Sequence, residues 1–312
     1  FREWVRRNLG PVLLPERGTV TRATLQPHLR DLEERTLSVR DHLARRLADR
    51  VPFEAIDHEL RNKALVLVLG GGGGTAYVTL GVMSLLDEYG LRPRLLAGTS
   101  MGAVLSLFRS RMAGFEQEEI VAIVRSLSWR KLFRTLSVES RYGVPAAFRL
   151  FLRSGIGRWF GVDGRANDGP RLGELPIKTL IAVSGIRLGK LPHPLEFYER
   201  LVSASPRWLL NPTLLPRWFA ALAEFTARPD ILARVHLGLD AGTAEFDALD
   251  AAGFSSALPG IIHYDVFRDD PRMHRLLAQY MGDHGIVRFV DGGLVDNVPA
   301  RAAWRAVHKG AI

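Results

Sequence analysis

Ser100 stands in the run Gly98-Thr99-Ser100-Met101-Gly102, and a serine flanked two residues away on each side by glycine has the spacing of a nucleophile turn. In such a strand-to-helix turn the serine is held in a strained backbone conformation. Gly98 and Gly102 let neighbouring backbone close in, so that the hydroxyl projects. Upstream, five glycines stand in succession from Gly70. Unprotected N–H groups at Gly71, Gly72, Gly73 and Gly74, followed by a helix N-terminus, suit an oxyanion developing on an attacked carbonyl. The Met101 N–H could add to them. Far downstream, Asp291 precedes Gly292 and Gly293, two glycines that let other backbone approach the carboxylate. Each feature also has a plainer reading: the glycines as a phosphate cradle, the serine in an ordinary tight turn, Asp-Gly-Gly as a turn. Short patterns recur by chance, so none of the three decides alone.

These residues need elements to position them. Residues 64–69 form an apolar, β-prone run without alternation, as expected of a strand buried on both faces of a parallel sheet. Residues 75–89 place Val78, Val82, Leu85 and Leu86 at helical spacing, and Gly90 closes that helix as a C-terminal cap. A second strand, 95–97, runs into the serine turn, after which Ala103, Val104, Leu105 and Leu107 resume as a helix. The order is a βαβα unit whose two turns face one sheet edge. A last strand, 286–290, delivers Asp291 at its carboxyl end, where open α/β sheets carry their active groups. Asn297 is then expected to cap a helix through Pro299, Ala303 and Trp304, ending near Gly310.

The N-terminal part reads as helical. Leu25, Leu29, Leu32, Thr36, Val39, Leu43 and Leu47 recur every three or four residues, with Pro27 in the first turn and Pro52 marking the end. The expected organisation is therefore a helical extension over residues 1–62, packed on a catalytic domain over 63–312. Within the latter, residues 114–237 are expected to contain a helical insertion of cap or lid type. Phe133, Phe148, Phe151, Leu152, Trp159 and Phe160 alternate there with Arg141, Arg149, Arg153 and Arg158. That mixture suits a lipid interface, and it equally suits a cap packed over the sheet. Residues 161–173 read as a loop, 179–184 as a further buried strand, and 254–260 as a turn beginning at a helix end. A helix within 206–229, with Trp218, Leu222 and Phe225 on one face, reads as a second part of a lid.

With 312 residues, 47% hydrophobic and 24% charged, the chain is globular and long enough for one large α/β domain with additions. Its net charge of +9 points to an anionic partner. The arginines are scattered and no nucleic-acid-binding signature accompanies them, so an anionic membrane surface is the preferred partner over nucleic acid. With no cysteine there is no disulfide framework or thiolate metal site, which fits the cytoplasm without fixing a compartment. No apolar run approaches a spanning helix, so a soluble or peripheral protein is expected. The chain begins at Phe1 rather than Met, which leaves room for a removed signal or an upstream domain. Oligomeric state is not legible.

The glycine run, the serine turn and the Asp-Gly-Gly segment occur in the order found in the patatin-like phospholipase family, which this chain resembles over about residues 64–303. Asn297 and Pro299 after the aspartate fit that family's pattern, and 254–260 resembles its A-S-x-A-x-P segment. The resemblance implies a three-layer α/β/α fold with a mainly parallel central sheet. It implies a Ser-Asp dyad of Ser100 and Asp291, an oxyanion hole in residues 71–74, a phospholipid or other lipid ester as substrate, and neither metal nor cofactor. One departure is plain: the family usually follows its glycines with Lys or Arg and then Gly, whereas here Thr75 and Ala76 stand in those places.

Two other readings are open. A conventional α/β-hydrolase would use a histidine base, His284 or His308, although its glycine-rich oxyanion segment belongs after the third strand. A nucleotide-binding module would use Gly71, Gly73 and Ala76, and should carry an acidic residue at the end of the second strand. The chain there reads Leu-Leu-Ala-Gly-Thr-Ser.

Overall fold

The computed structural model describes residues 2–13, 21–61, 64–111, 114–126, 132–134, 140–162, 169–190, 194, 196–197 and 230–312. The helix expected within 206–229 and part of the loop expected at 161–173 lie outside them. The chain divides into two compact units, Phe1–Ala64 and Leu65–Ile312.

The first unit holds α1 (Arg2–Asn8), α2 (Gly10–Leu13), α3 (Arg22–Arg46) and α4 (Phe53–Arg61). Thr21 caps α3 in a reciprocal arrangement with Thr24, satisfying two end groups that helix geometry leaves open. The helix starts earlier than its apolar stripe, so Pro27 falls in the second turn and takes one donor from the helix ladder. Arg40 of α3 reaches Asp57 of α4 at 2.7 Å and lies over the Phe53 ring.

The second unit is built on strands β1 (Leu65–Leu69), β2 (Pro93–Thr99), β3 (Phe133–Arg134), β4 (Ala146–Leu150), β5 (Lys178–Arg187), β6 (Leu232–Leu237), β7 (Gly260–His263) and β8 (Ile286–Asp291). Its helices are α5 (Val78–Glu88), α6 (Met101–Arg111), α7 (Gln117–Ser126), α8 (Leu152–Ile156), α9 (Ala248–Ser255), α10 (Pro271–His284), α11 (Gly293–Asp296) and α12 (Ala300–His308). Strands β1, β2 and β5 run parallel, while β6 and β8 pair with β5 antiparallel. A second sheet joins β3, β4 and β7.

The central sheet is covered on both faces, giving three α/β/α layers. Leu95 and Ala97 of β2 and Leu180 of β5 meet Ala302, Ala303 and Ala306 of α12 on one side. Ile181 and Val183 of β5 point the other way, into a core shared with α6, α9 and α10. That division follows from the two-residue period of a strand.

Two expectations change. Residues 65–68 are only partly buried, because β1 pairs with β2 alone and ends the sheet among the described residues. In α5 the expected apolar face is largely outside: Val78, Val82 and Leu85 are exposed, while Met83 is buried and Leu80 packs on the core. Its apolar residues cover more than half of the helix circumference, so periodicity could not choose its inner face. In the aromatic and arginine-rich stretch, Leu152 and Ile156 are buried and Phe133, Trp159 and Phe160 pack against the main core. The packed reading of that stretch is therefore the one observed. Residues 114–237 also contain β5 and β6, two strands of the central sheet itself.

The topology has one unusual junction. Along β5, residues Leu95 to Thr99 of β2 pair with Lys178 to Ala182, and Asp291 to Ile286 of β8 pair with Val183 to Arg187. Strand β6 occupies the opposite edge of the same β5 residues. Strands β2 and β8 therefore share one edge and run toward each other, ending against the adjacent residues Ala182 and Val183. Gly292 makes the junction possible, because a Cβ there would collide with the Ala182 carbonyl oxygen. Gly292→Ala should destabilise the fold by about 3 kcal/mol, as an overpacked core site does. Gly282→Ala, in α10 with no atom near its Cβ position, should stabilise by about 0.5–1 kcal/mol. Chemical denaturation of the two variants checks both signs.

Candidate active site

The meeting of β2 and β8 brings Ser100 and Asp291 together across 191 residues of sequence: the Ser100 hydroxyl donates to Asp291 Oδ2 at 2.7 Å. Ser100 has φ of 53°, the only positive value at a non-glycine residue among those described. Its backbone is thus in the left-handed region, at a cost of order 1–3 kcal/mol, and the surroundings must enforce it. Gly102 lets α6 start directly against the end of β1, since a Cβ there would strike the Leu69 and Gly70 carbonyl oxygens. At Gly98 a Cβ would lie 2.7 Å from Ala103 Cα, so both flanking glycines are places of close approach.

A second serine fixes the turn. The Ser100 N–H donates to Ser255 Oγ at 2.8 Å, and the Ser255 hydroxyl donates to the Ala182 carbonyl at 2.7 Å. Ser255 is fully buried at the end of α9. It sits in the segment 254–260 that the sequence singles out, yet the sequence carries no sign of this contact, which spans 155 residues. Two further hydroxyls seal the junction: Ser184 donates to the Asp291 carbonyl at 2.7 Å and Thr99 to the Asp296 carbonyl at 2.9 Å. The carbonyls of Asp291, at the end of β8, and of Asp296, at the end of α11, are so satisfied inside the protein.

The glycine run lies beside Ser100. A Cβ on Gly71 would be 3.1 Å from Ser100 Cβ and 2.7 Å from Asn297 Oδ1, so only glycine lets the loop pass this close. The Gly71 N–H, expected among the oxyanion donors, is occupied by the Asn297 carbonyl at 3.1 Å, which removes it from the donor set. The chain then enters a 3₁₀ turn, Gly73–Tyr77, whose first N–H groups have no partner within the turn. Gly72, Gly73 and Gly74 therefore keep free N–H groups among the described residues, and Met101 opens α6 with another. Thr75, where the resembling family has a cation, folds back: its hydroxyl and N–H both donate to the Gly72 carbonyl, at 2.7 and 3.2 Å.

Asn297 does not cap α12. It has helical dihedrals at the end of α11, and Pro299 precedes α12 without a side-chain cap. Its place is instead between the two glycine loops, with its carbonyl on Gly71 and its Oδ1 close to Gly71 and Gly293. The two candidate histidines are engaged elsewhere. His284 stacks on Tyr280 with Nδ1 at 2.8 Å from the Tyr280 carbonyl, and His308 packs on Trp304. Among the described residues no cluster of three or more His, Asp or Glu could hold a metal ion, and no helix is long and apolar enough to cross a membrane.

Asp291 is 6% exposed. Burial raises its pKa from 3.8 to about 6, against the opposing hydrogen bonds from Ser100 and from the Gly293 N–H, which reaches Oδ1 at 2.6 Å. Loss of water disfavours the carboxylate more than two donors favour it. The folded-state pKa lies above the unfolded one, so this group's stabilising contribution is complete below pH 3.8 and is lost as pH rises through about 6. Asp291→Asn removes that ionisation. The variant should match wild type in urea denaturation near pH 4 and exceed it at pH 8 by about 1–3 kcal/mol.

The model of the patatin-like phospholipase family matches residues 67–304, more than half of the chain. A search of curated proteins found no match. The match begins in β1, spans the glycine run, the serine turn and Asp291, and ends in α12. The chain belongs to the patatin-like phospholipase family, whose members are hydrolases of lipid esters.

Proposed function

We propose that the protein is a lipid acyl hydrolase that cleaves carboxylic esters through an acyl-Ser100 intermediate, with Asp291 as general base. The carrying observation is the 2.7 Å hydrogen bond from a strained Ser100 to a buried carboxylate. As Ser100 Oγ attacks the ester carbonyl, its proton passes to Asp291 Oδ2 and the new C–O bond forms. The N–H groups of Gly72, Gly73, Gly74 and Met101 receive the oxyanion. When the tetrahedral intermediate collapses, the ester C–O bond breaks and the leaving alkoxide takes the proton from Asp291. A water molecule then attacks the acyl-enzyme, giving its proton to Asp291, and Ser100 leaves reprotonated with release of the fatty acid. Lipid esters arrive from a surface, and in this reading the contact with a membrane is peripheral.

The raised pKa supports the base role. A carboxylate near 6 is a stronger base than an ordinary aspartate, yet about nine-tenths ionised at pH 7. The expected kcat/KM rises about tenfold per pH unit below 6 and is flat above it. A histidine base would titrate close by, at about 6.5, so variants discriminate. Asp291→Asn and Ser100→Ala should each lose roughly 10⁴-fold in kcat, with fluorophosphonate labelling confined to Ser100. His284→Ala and His308→Ala should stay near wild type. Loss of activity in either histidine variant with Asp291→Asn active would overturn the dyad.

Ser255 enters as a positioning residue. Ser255→Ala leaves the Ser100 N–H and the Ala182 carbonyl without their partner. With active molecules counted by fluorophosphonate titration, kcat should fall about 10–100-fold at unchanged KM. A purely structural role would lower stability and leave kcat per active site intact.

A further inference from the structure

The catalytic reading leaves the excess of positive charge unexplained, and one cavity concentrates it. A cavity of about 260 Å³ is lined by Arg234, Arg301, Trp304 and Arg305. Arg301, Trp304 and Arg305 fall at positions i, i+3 and i+4 of α12, whose opposite face, Ala302, Ala303 and Ala306, is buried on the sheet. Arg234 comes from β6 and donates from Nε to the Val295 carbonyl at 3.4 Å, a long contact that leaves the rest of its guanidinium open. Among the described residues no carboxylate lines the cavity. Asp296, close in sequence, is engaged by His236 Nε2 at 3.0 Å. None of the three arginines forms an ion pair among the described residues.

Three guanidinium groups converging without a counter-charge repel one another, and the arrangement becomes favourable only when an anion joins them. Guanidinium forks match phosphate oxygens in geometry. The volume is below the roughly 300–1,000 Å³ of pockets for drug-sized ligands, and suits a phosphate with a small substituent. Trp304 is 63% exposed, and an indole beside arginines suits the boundary between headgroups and acyl chains.

We propose that this cavity is a phosphate-binding site that takes the headgroup of an anionic phospholipid. The segment that carries Asn297 against Gly71 continues through Val298, itself 56% exposed, into α12. A headgroup held on α12 is thus joined to the glycine loop by a few residues of chain. The site uses neither Ser100 nor Asp291, so it can be measured without turnover.

The test is sedimentation of the full chain carrying Ser100→Ala with vesicles of phosphatidylcholine, with and without phosphatidylglycerol. Binding should require phosphatidylglycerol and be competed by inorganic phosphate. Adding Arg301→Gln and Arg305→Gln should weaken it about 30-fold, the effect of two interfacial arginines. The charge-matched Arg45→Gln and Arg46→Gln pair, in the last turn of α3, should leave it within about twofold. Calorimetric binding of inorganic phosphate that depends on Arg301 and Arg305, without vesicle binding, would keep the phosphate site and assign it to a free phosphate. Equal losses in both double variants would overturn the proposal in favour of diffuse charge. Absence of both vesicle and phosphate binding would overturn it outright.

Discussion

Two strands cannot occupy the same stretch of a neighbour's edge, and this exclusion governs the second unit. Strand β2 ends against Ala182 and β8 ends against Val183, so the residues that leave those strands must turn out of the sheet at one place. Ser100 leaves in one direction into α6, and Gly292 in the other into α11. The short distance between the Ser100 hydroxyl and the Asp291 carboxylate is a product of register, fixed by adjacent residues of β5. A one-residue slip of either strand would reverse the faces of its side chains and part the pair. The hydroxyls of Thr99, Ser184 and Ser255 belong to the same constraint. Each donates to a carbonyl at the junction, and each is fully buried.

Behind that junction lies a charged layer that holds α9. Asp247 caps the helix through the Asp250 N–H and pairs with Arg153 at 2.7 Å. Asp250 accepts from Tyr264 and from both terminal nitrogens of Arg268, and Arg268 also reaches Asp270. Both Asp247 and Asp250 are fully buried, and burial together with the neighbouring Asp250 pushes the Asp247 pKa up. Buried ion pairs contribute little net stability but strongly penalise arrangements that break them. Here they restrict the placement of a helix whose last residue, Ser255, holds the Ser100 N–H. The strained turn is therefore supported from two directions, by the sheet register and by the seating of α9.

Much of this was legible because the residues concerned have few alternatives. A glycine run after a strand, a serine between glycines and an aspartate before two glycines are demanded by close backbone approach, and the structure brings all three together. The inner face of α5 was not legible, since Val78, Leu80, Val82, Met83, Leu85 and Leu86 spread over more than half of the helix circumference. Strand β6 was missed because Arg234 and His236 interrupt its apolar pattern, and each is used: one at Val295, the other at Asp296. The small sheet of β3, β4 and β7 was hidden for a related reason, its β4 carrying Phe148 and Arg149 in a run that reads equally as helix. Ser255 and Asn297 act through long-range contacts with backbone, and such contacts leave no periodicity behind.

The missing cation at position 75 acquires a physical sense from Asp291. A Lys or Arg held near Asp291 would lower its pKa by favouring the charged form. In this chain the forces on Asp291 are burial, which raises the pKa, and hydrogen bonds from Ser100 and Gly293, which lower it; no cation takes part. Thr75 performs the mechanical half of the loop's task by closing it on the Gly72 carbonyl. In the proposed mechanism the electrostatic half falls to backbone dipoles, at the start of the 3₁₀ turn and of α6, which carry positive potential without net charge. In the proposed mechanism a neutral donor set preserves a basic aspartate while still receiving an oxyanion, and a site with only one proton acceptor gains from both.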